Sequence, residues 1–132
     1  MIRIGLSIMG IGAKLNEALL EFEDATEGIL GSCVIVSAQA LMMAEASNHF
    51  DRGIIQGMSE KLMRMSRETV ESLIPEAKLK SVTLEEEDHF IYVRPVNPKY
   101  HVVVITDRSE TSGLREMNIK ALIAKLNKFL DS

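Results

Sequence analysis

Between Lys14 and Glu23 the apolar residues Leu15, Ala18, Leu19 and Phe22 fall at i, i+3, i+4 and i+7, while Lys14, Asn16, Glu17, Glu21 and Glu23 take the other side. That spacing predicts an amphipathic helix opening after Gly12, since one stripe of a 3.6-residue repeat is apolar. Gly28 is its expected stop. The next stretch, ILGSCVIVS (Ile29–Ser37), carries Val34, Ile35 and Val36 in succession, the pattern of a strand covered on both faces and central in a sheet. ALMMAEA (Ala40–Ala46) predicts a second strand, with a tight hairpin at Ala38–Ala40. The turn chemistry there is weak, because Ala-Gln stands where Asn-Gly or Asp-Gly is preferred.

Asp51 is placed to cap a long helix that ends near Ile74, just before Pro75. Ile55, Met58, Leu62, Met65, Thr69 and Leu73 share one stripe of it, with Met63, Val70 and Ile74 a quarter-turn or more away. The apolar arc approaches half the circumference, whereas a helix with one buried face needs only ~100°. It is therefore expected to pack on two things, a sheet and something else. Glu60, Arg64, Arg67, Glu68 and Glu71 form the remaining face. From Leu79 the period becomes two: Val82 and Leu84 alternate with Ser81, Thr83 and Glu85, and FIYVRPV and YHVVVIT follow, giving three strands in meander order. A last helix opens near Ser112 with Ile119, Leu122, Ile123, Leu126, Phe129 and Leu130 on one face and Lys120, Lys125 and Lys128 elsewhere. The fold class is α+β, in the order αββαβββα, with a five-stranded antiparallel sheet sandwiched between helices. One domain is expected over residues 13–132, preceded by an apolar extension over residues 1–12.

Composition narrows the function. The 132 residues suit one core. Fifteen Lys and Arg against nineteen Asp and Glu leave a net charge of -4, which argues against nucleic acid as the main partner. Cys33 is the sole cysteine, so no internal disulfide forms, and a reducing, cytoplasmic location is expected. The apolar start, MIRIGLSIMGIGA, is broken by Gly5, Ser7, Gly10 and Gly12 and is well short of the ~20 residues that span a membrane. Met9 is a candidate natural start, because the helical pattern begins only after it.

Chemistry is sparse. HVVVITDRSETSGLREMNIKAL (His101–Leu122) joins strand, polar loop and helix, the layout of an anion site, but the loop lacks the glycines that cradle phosphate, and Ser109, Thr111 and Ser112 read as turn and cap residues. Gly10 is followed by Ile11 rather than a P-loop spacing. His49, His89 and His101 show no metal-ligand pairing. Glu85, Glu86, Glu87 and Asp88 read as a solvated hairpin tip, and no G-x-S-x-G elbow exists. No enzyme activity, metal or cofactor is expected. Met58, Met63 and Met65 could fill a core or adapt to a partner.

VVVITDRSETSGLREMNIKALIAKL (Val102–Leu126) resembles the closing strand and helix of the roadblock family, dynein light-chain-like regulators of small GTPases. GILGSCVIVSAQALMMAEAS resembles that family's central hairpin and LKSVTLEEEDHFIYVRPV its third and fourth strands, so the likeness covers about Lys14 to Leu130. It implies a homodimer, or a heterodimer with a second roadblock-like chain, in which long helices pair and sheets join edge to edge. The dimer residues would be Ile55, Met58, Leu62, Met63, Met65 and Val70. Glu60, Arg64, Arg67, Glu68 and Glu71 would meet a small Ras-like GTPase, as scaffold or as stimulator of its GTP hydrolysis, with Arg64 or Arg67 as a conceivable supplied arginine. Two other functions compete: a PAS-like or profilin-like sensor, for which Tyr92, His101 and Cys33 are the candidate pocket groups, and a longin-like trafficking adaptor.

Overall fold

The computed structural model describes residues 2–37, 41–45, 51–108 and 112–130. The element order is α1 (Ile2–Ala25), β1 (Ile29–Val36), β2 (Leu41–Glu45), α2 (Arg52–Leu73), β3 (Val82–Glu85), β4 (Phe90–Asn97), β5 (Tyr100–Thr106) and α3 (Ser112–Asn127). This is the αββαβββα order read from the hydrophobic pattern. The hairpin at Ala38–Ala40, His49, Ser109 and Thr111 lie outside the described residues. Among the described residues no helix is long and apolar enough to cross a membrane.

The start of α1 corrects the sequence reading. The helix does not open after Gly12 but runs unbroken from Ile2, through Gly5, Gly10 and Gly12. Glycine in a helix costs only ~1 kcal/mol relative to alanine, and a Cβ at Gly10 or Gly12 would meet nothing within 4 Å. None of the three breaks the helix, and Gly10 and Gly12 mark no close contact. Gly28 does act as punctuation: its φ of 79° is the left-handed conformation that lets the chain turn from α1 into β1.

The sheet is antiparallel with strand order β2-β1-β5-β4-β3. β1 lies beside β5 with Cys33 opposite Val103 and Val34 opposite Val102, and β4 aligns Tyr92 with Val104 and Val93 with Val103. Strand alternation then sorts the side chains. Val34, Tyr92, Val96, Val102 and Val104 point to one layer, where α1 supplies Leu15, Ala18, Leu19 and Phe22 and α3 supplies Ile119, Leu122 and Leu126. Cys33, Ile35, Val93 and Val103 point the other way, against Met63 of α2 with Ile55 and Leu62 at its margin. The first core is the larger, so α1 and α3 are anchored more extensively than α2.

Polar contacts fix the joints. Asp51 caps α2, its carboxylate accepting from the Ile54 N–H at 3.0 Å. The β4–β5 turn is held by Asn97, whose side-chain oxygen accepts from the Lys99 N–H at 2.9 Å. Arg94, buried, reaches out of β4 to the Thr83 hydroxyl at 2.8 Å and to Glu116 of α3, tying the β3 edge to the helical layer. α1 and α3 are joined by Asn118 donating to Thr26 and by the Lys125–Glu21 pair.

Candidate functional site

α2 presents three faces. Ser59, Met63, Ser66 and Val70 recur at i, i+4, i+7 and i+11 and turn toward the sheet, Ser59 and Met63 being buried and Ser66 and Val70 half-buried. Ile54, Met58 and Met65 form a second apolar line roughly 130° away at ~100° per residue. They are 63%, 58% and 54% exposed, and Leu73 further along is 75% exposed. For residues this apolar to face water in a row is the informative departure, since scattered exposed apolar side chains need no explanation and contiguous ones do. Glu60, Arg64, Arg67, Glu68 and Glu71 occupy the third face.

The residues predicted for a dimer contact therefore divide. Met58 and Met65 lie on the outward line, whereas Met63, Ile55 and Leu62 already pack on the chain's own sheet and Val70 is half-buried. Ile54, four residues before Met58, shares the outward line, although the sequence pattern opens the stripe at Ile55. Among the charged residues, Glu60 and Arg64 pair at 3.1 Å, an exposed helix pair that contributes little to stability. Glu60, Arg67 and Glu71 line a groove of about 620 Å³ between the C-terminal half of α2 and the β4–β5 turn. Arg64 and Glu68 lie outside it.

A second, apolar groove of about 630 Å³ runs along the N-terminal half of α2. Ile54, Met58 and Leu62 form its helix wall, Leu84 its outer lip and Ile91 and Ile105 its floor. It is bounded by α2 and the β3 side of the sheet, and Leu84, 43% exposed on the short edge strand β3, continues the apolar surface beyond it. The β3–β4 tip next to it is polar: Glu85, Glu86, Glu87 and Asp88 are all exposed. Glu85 pairs with Arg108 and Glu86 with His89 at 2.7 Å. The hydrogen bond from the His89 ring holds the Glu86 carboxyl below its ordinary pKa, aided by the Asp88 N–H.

His101 faces the middle of α2. It is 1% exposed, with Nδ1 2.9 Å from Ser37 Oγ and Nε2 3.4 Å from Ser59 Oγ. A neutral imidazole offers one donor and one acceptor, and a hydroxyl can answer either. Burial, seconded by the Arg67 charge, pushes its pKa down to about 4. Ser59 escaped the sequence reading because a small polar residue inside a helix carries no signal of a buried partner. The three groups named for a sensor pocket do not converge: Tyr92 faces the α1 and α3 layer, while Cys33 and His101 face α2 on different strands. Strand parity separates Tyr92 from the other two.

Neither the protein-family models nor the curated proteins compared with the sequence give a match. Solved structures do. Myxococcus xanthus MglB superposes with a TM-score of 0.79 at 16% identity, covering 92% of this chain and 93% of that one. The chain has the roadblock fold. A roadblock/LC7 domain from Streptomyces avermitilis gives a TM-score of 0.73 at 9% identity, covering 86% of this chain and 95% of that domain. An MglB described with a tetrameric arrangement gives 0.79 at 14% identity, covering 90% and 89%. At such identities the likeness lies in the architecture.

Proposed function

We propose that this protein is a non-enzymatic roadblock module that self-associates through the outward apolar face of α2 and binds and regulates a small Ras-like GTPase. The observation that carries the reading is the exposed line Ile54–Met58–Met65 on a helix whose opposite face is already occupied by the sheet. A surface helix with one neighbour needs one apolar stripe. The second stripe, together with the apolar groove beside it and the short β3 edge, matches a contact made by a copy of the same helix, and a two-fold interface places like patches against each other. Self-association also agrees with the tetrameric arrangement described for a similar MglB. Glu60, Arg64, Arg67, Glu68 and Glu71 flank the stripe with mixed charge, suited to steering and register with a GTPase rather than to chemistry of their own. The segment 1–12 is assigned no separate role in this reading.

Native mass spectrometry of the full chain tests the first half. A mass twice the 14.7 kDa of the chain is expected, and Met58→Glu with Met65→Glu should return a folded monomer, because neither side chain supports the chain's own core. The second half is tested by binding to purified small Ras-like GTPases from the source organism, each loaded with GDP or a non-hydrolysable GTP analogue. A monomer at micromolar concentration, or a dimer that binds none of them, would overturn the respective half.

A further inference from the structure

Three polar groups on the α1 and α3 side of the sheet have no hydrogen-bond partner among the described residues: the whole Arg115 guanidinium, Thr106 Oγ1 and the Tyr92 hydroxyl. Arg115 and Thr106 are fully buried and Tyr92 is 1% exposed. All three belong to residues around one ring. The Arg115 guanidinium carbon is 5.8 Å from the centroid of Phe90, Thr106 is the cross-strand partner of Phe90, and the Tyr92 ring stacks on Phe90 at 5.9 Å.

Among the described residues the charges there do not cancel. Arg94 is paired with Glu116, and Arg108, whose guanidinium lies 4.7 Å from the same Phe90 ring, is paired with Glu85. Arg115 has no acidic partner among the described residues. A guanidinium keeps its proton, and a ring face attracts the cation while accepting few of its five N–H groups. Water would satisfy those N–H groups but leave the charge buried and uncompensated, which is strongly unfavourable. Arg115 also belongs to the first turn of the 16-residue helix α3, where free backbone N–H groups and the helix dipole add positive potential. None of the described side chains balances this place, and the group that does so carries negative charge.

We propose that Arg115, Thr106 and Tyr92 form a binding site for a small oxyanion of the phosphate or sulfate class beneath the first turn of α3. A planar guanidinium fork takes two oxygens of such an ion, and two hydroxyls suit the others. Arg115 is inaccessible in the closed fold, so the ion exchanges when the first turn of α3 opens. The strand–loop–helix unit thus takes its anion through one buried arginine instead of through glycine amides.

The test uses the full chain in phosphate-free and sulfate-free buffer, with inorganic phosphate titrated at constant ionic strength. The Arg115 Nε–H resonance, assigned through the backbone, should shift saturably. The thermal midpoint should rise in parallel, and Arg115→Met should lose that rise while being at least as stable as the parent without phosphate. An equal, unsaturating rise in parent and variant would be the general effect of an excluded salt and would overturn the proposal. So would an Arg115 resonance that ignores phosphate but moves in Glu110→Gln, since the charge would then be balanced from within the chain. If Arg115→Met does not fold, the resonance titration of the parent decides alone.

Discussion

Acidification should destabilise the protein through His101. The folded chain holds this imidazole neutral down to a pKa of about 4, against 6.5 for the free group. Below 6.5 the unfolded chain takes up a proton that the folded chain refuses, so stability falls as pH drops through the window between 6.5 and 4. At pH 5 the ratio of the two binding polynomials is about 30, or about 2 kcal/mol, and the full loss below pH 4 is about 3 kcal/mol. Denaturant unfolding at pH 7.5 and pH 5.0, at fixed protein concentration and ionic strength, reads this directly against His101→Gln, which stays neutral at both. The parent should lose about 2 kcal/mol more than the variant between the two conditions. The lowered pKa of Glu86 acts with the same sign but only below its ordinary value of 4.5, beneath the window used. Equal losses in parent and variant would refute the reasoning, because His101 would then titrate alike in both states. Arg67→Gln should shrink the loss, since it removes the charge that seconds burial.

Other substitutions separate core from surface. Leu126→Ala, in the core under α3, should cost about 2–5 kcal/mol in denaturant unfolding, whereas Leu20→Ala, 50% exposed on α1, should fall within about 0.5 kcal/mol of the parent. Arg94→Met removes the link from β4 to Thr83 and Glu116; a loss of about 1–3 kcal/mol is expected, with amide exchange speeding first in β3. If a GTPase partner is found whose hydrolysis the protein stimulates, Arg64→Ala and Arg67→Ala should leave the stimulated rate unchanged. A fall of ~10³-fold in either would instead mark a supplied arginine.

Much of the site was legible in the order of residues. The wide apolar arc of α2 announced more apolar surface than one sheet face covers, and the charged third face followed from the same wheel. Which apolar residue faces the sheet was not legible, because Met58 and Met63 differ only in angle. The inward direction is set by where β1 and β5 place Cys33, Ile35 and Val103. The pairing of β1 with β5, separated in the chain by β2, α2, β3 and β4, likewise rests on contacts that no local pattern encodes. The glycines of the first helix misled for a related reason: a propensity of ~1 kcal/mol each is too small to decide an element that the rest of the chain continues.

Periodicity by itself determined the element order, the antiparallel sheet and the amphipathic faces, since each reflects the repeat of one local conformation. Only the tertiary structure decided that Ser59 and Ser37 meet His101, that Tyr92 and Cys33 fall on opposite faces, and that the Arg115 guanidinium is buried with no hydrogen-bond partner among the described residues. Those facts depend on which surfaces are brought together across the sheet, and burial changes the energy of a charge or a hydroxyl in a way that its neighbours in sequence do not record.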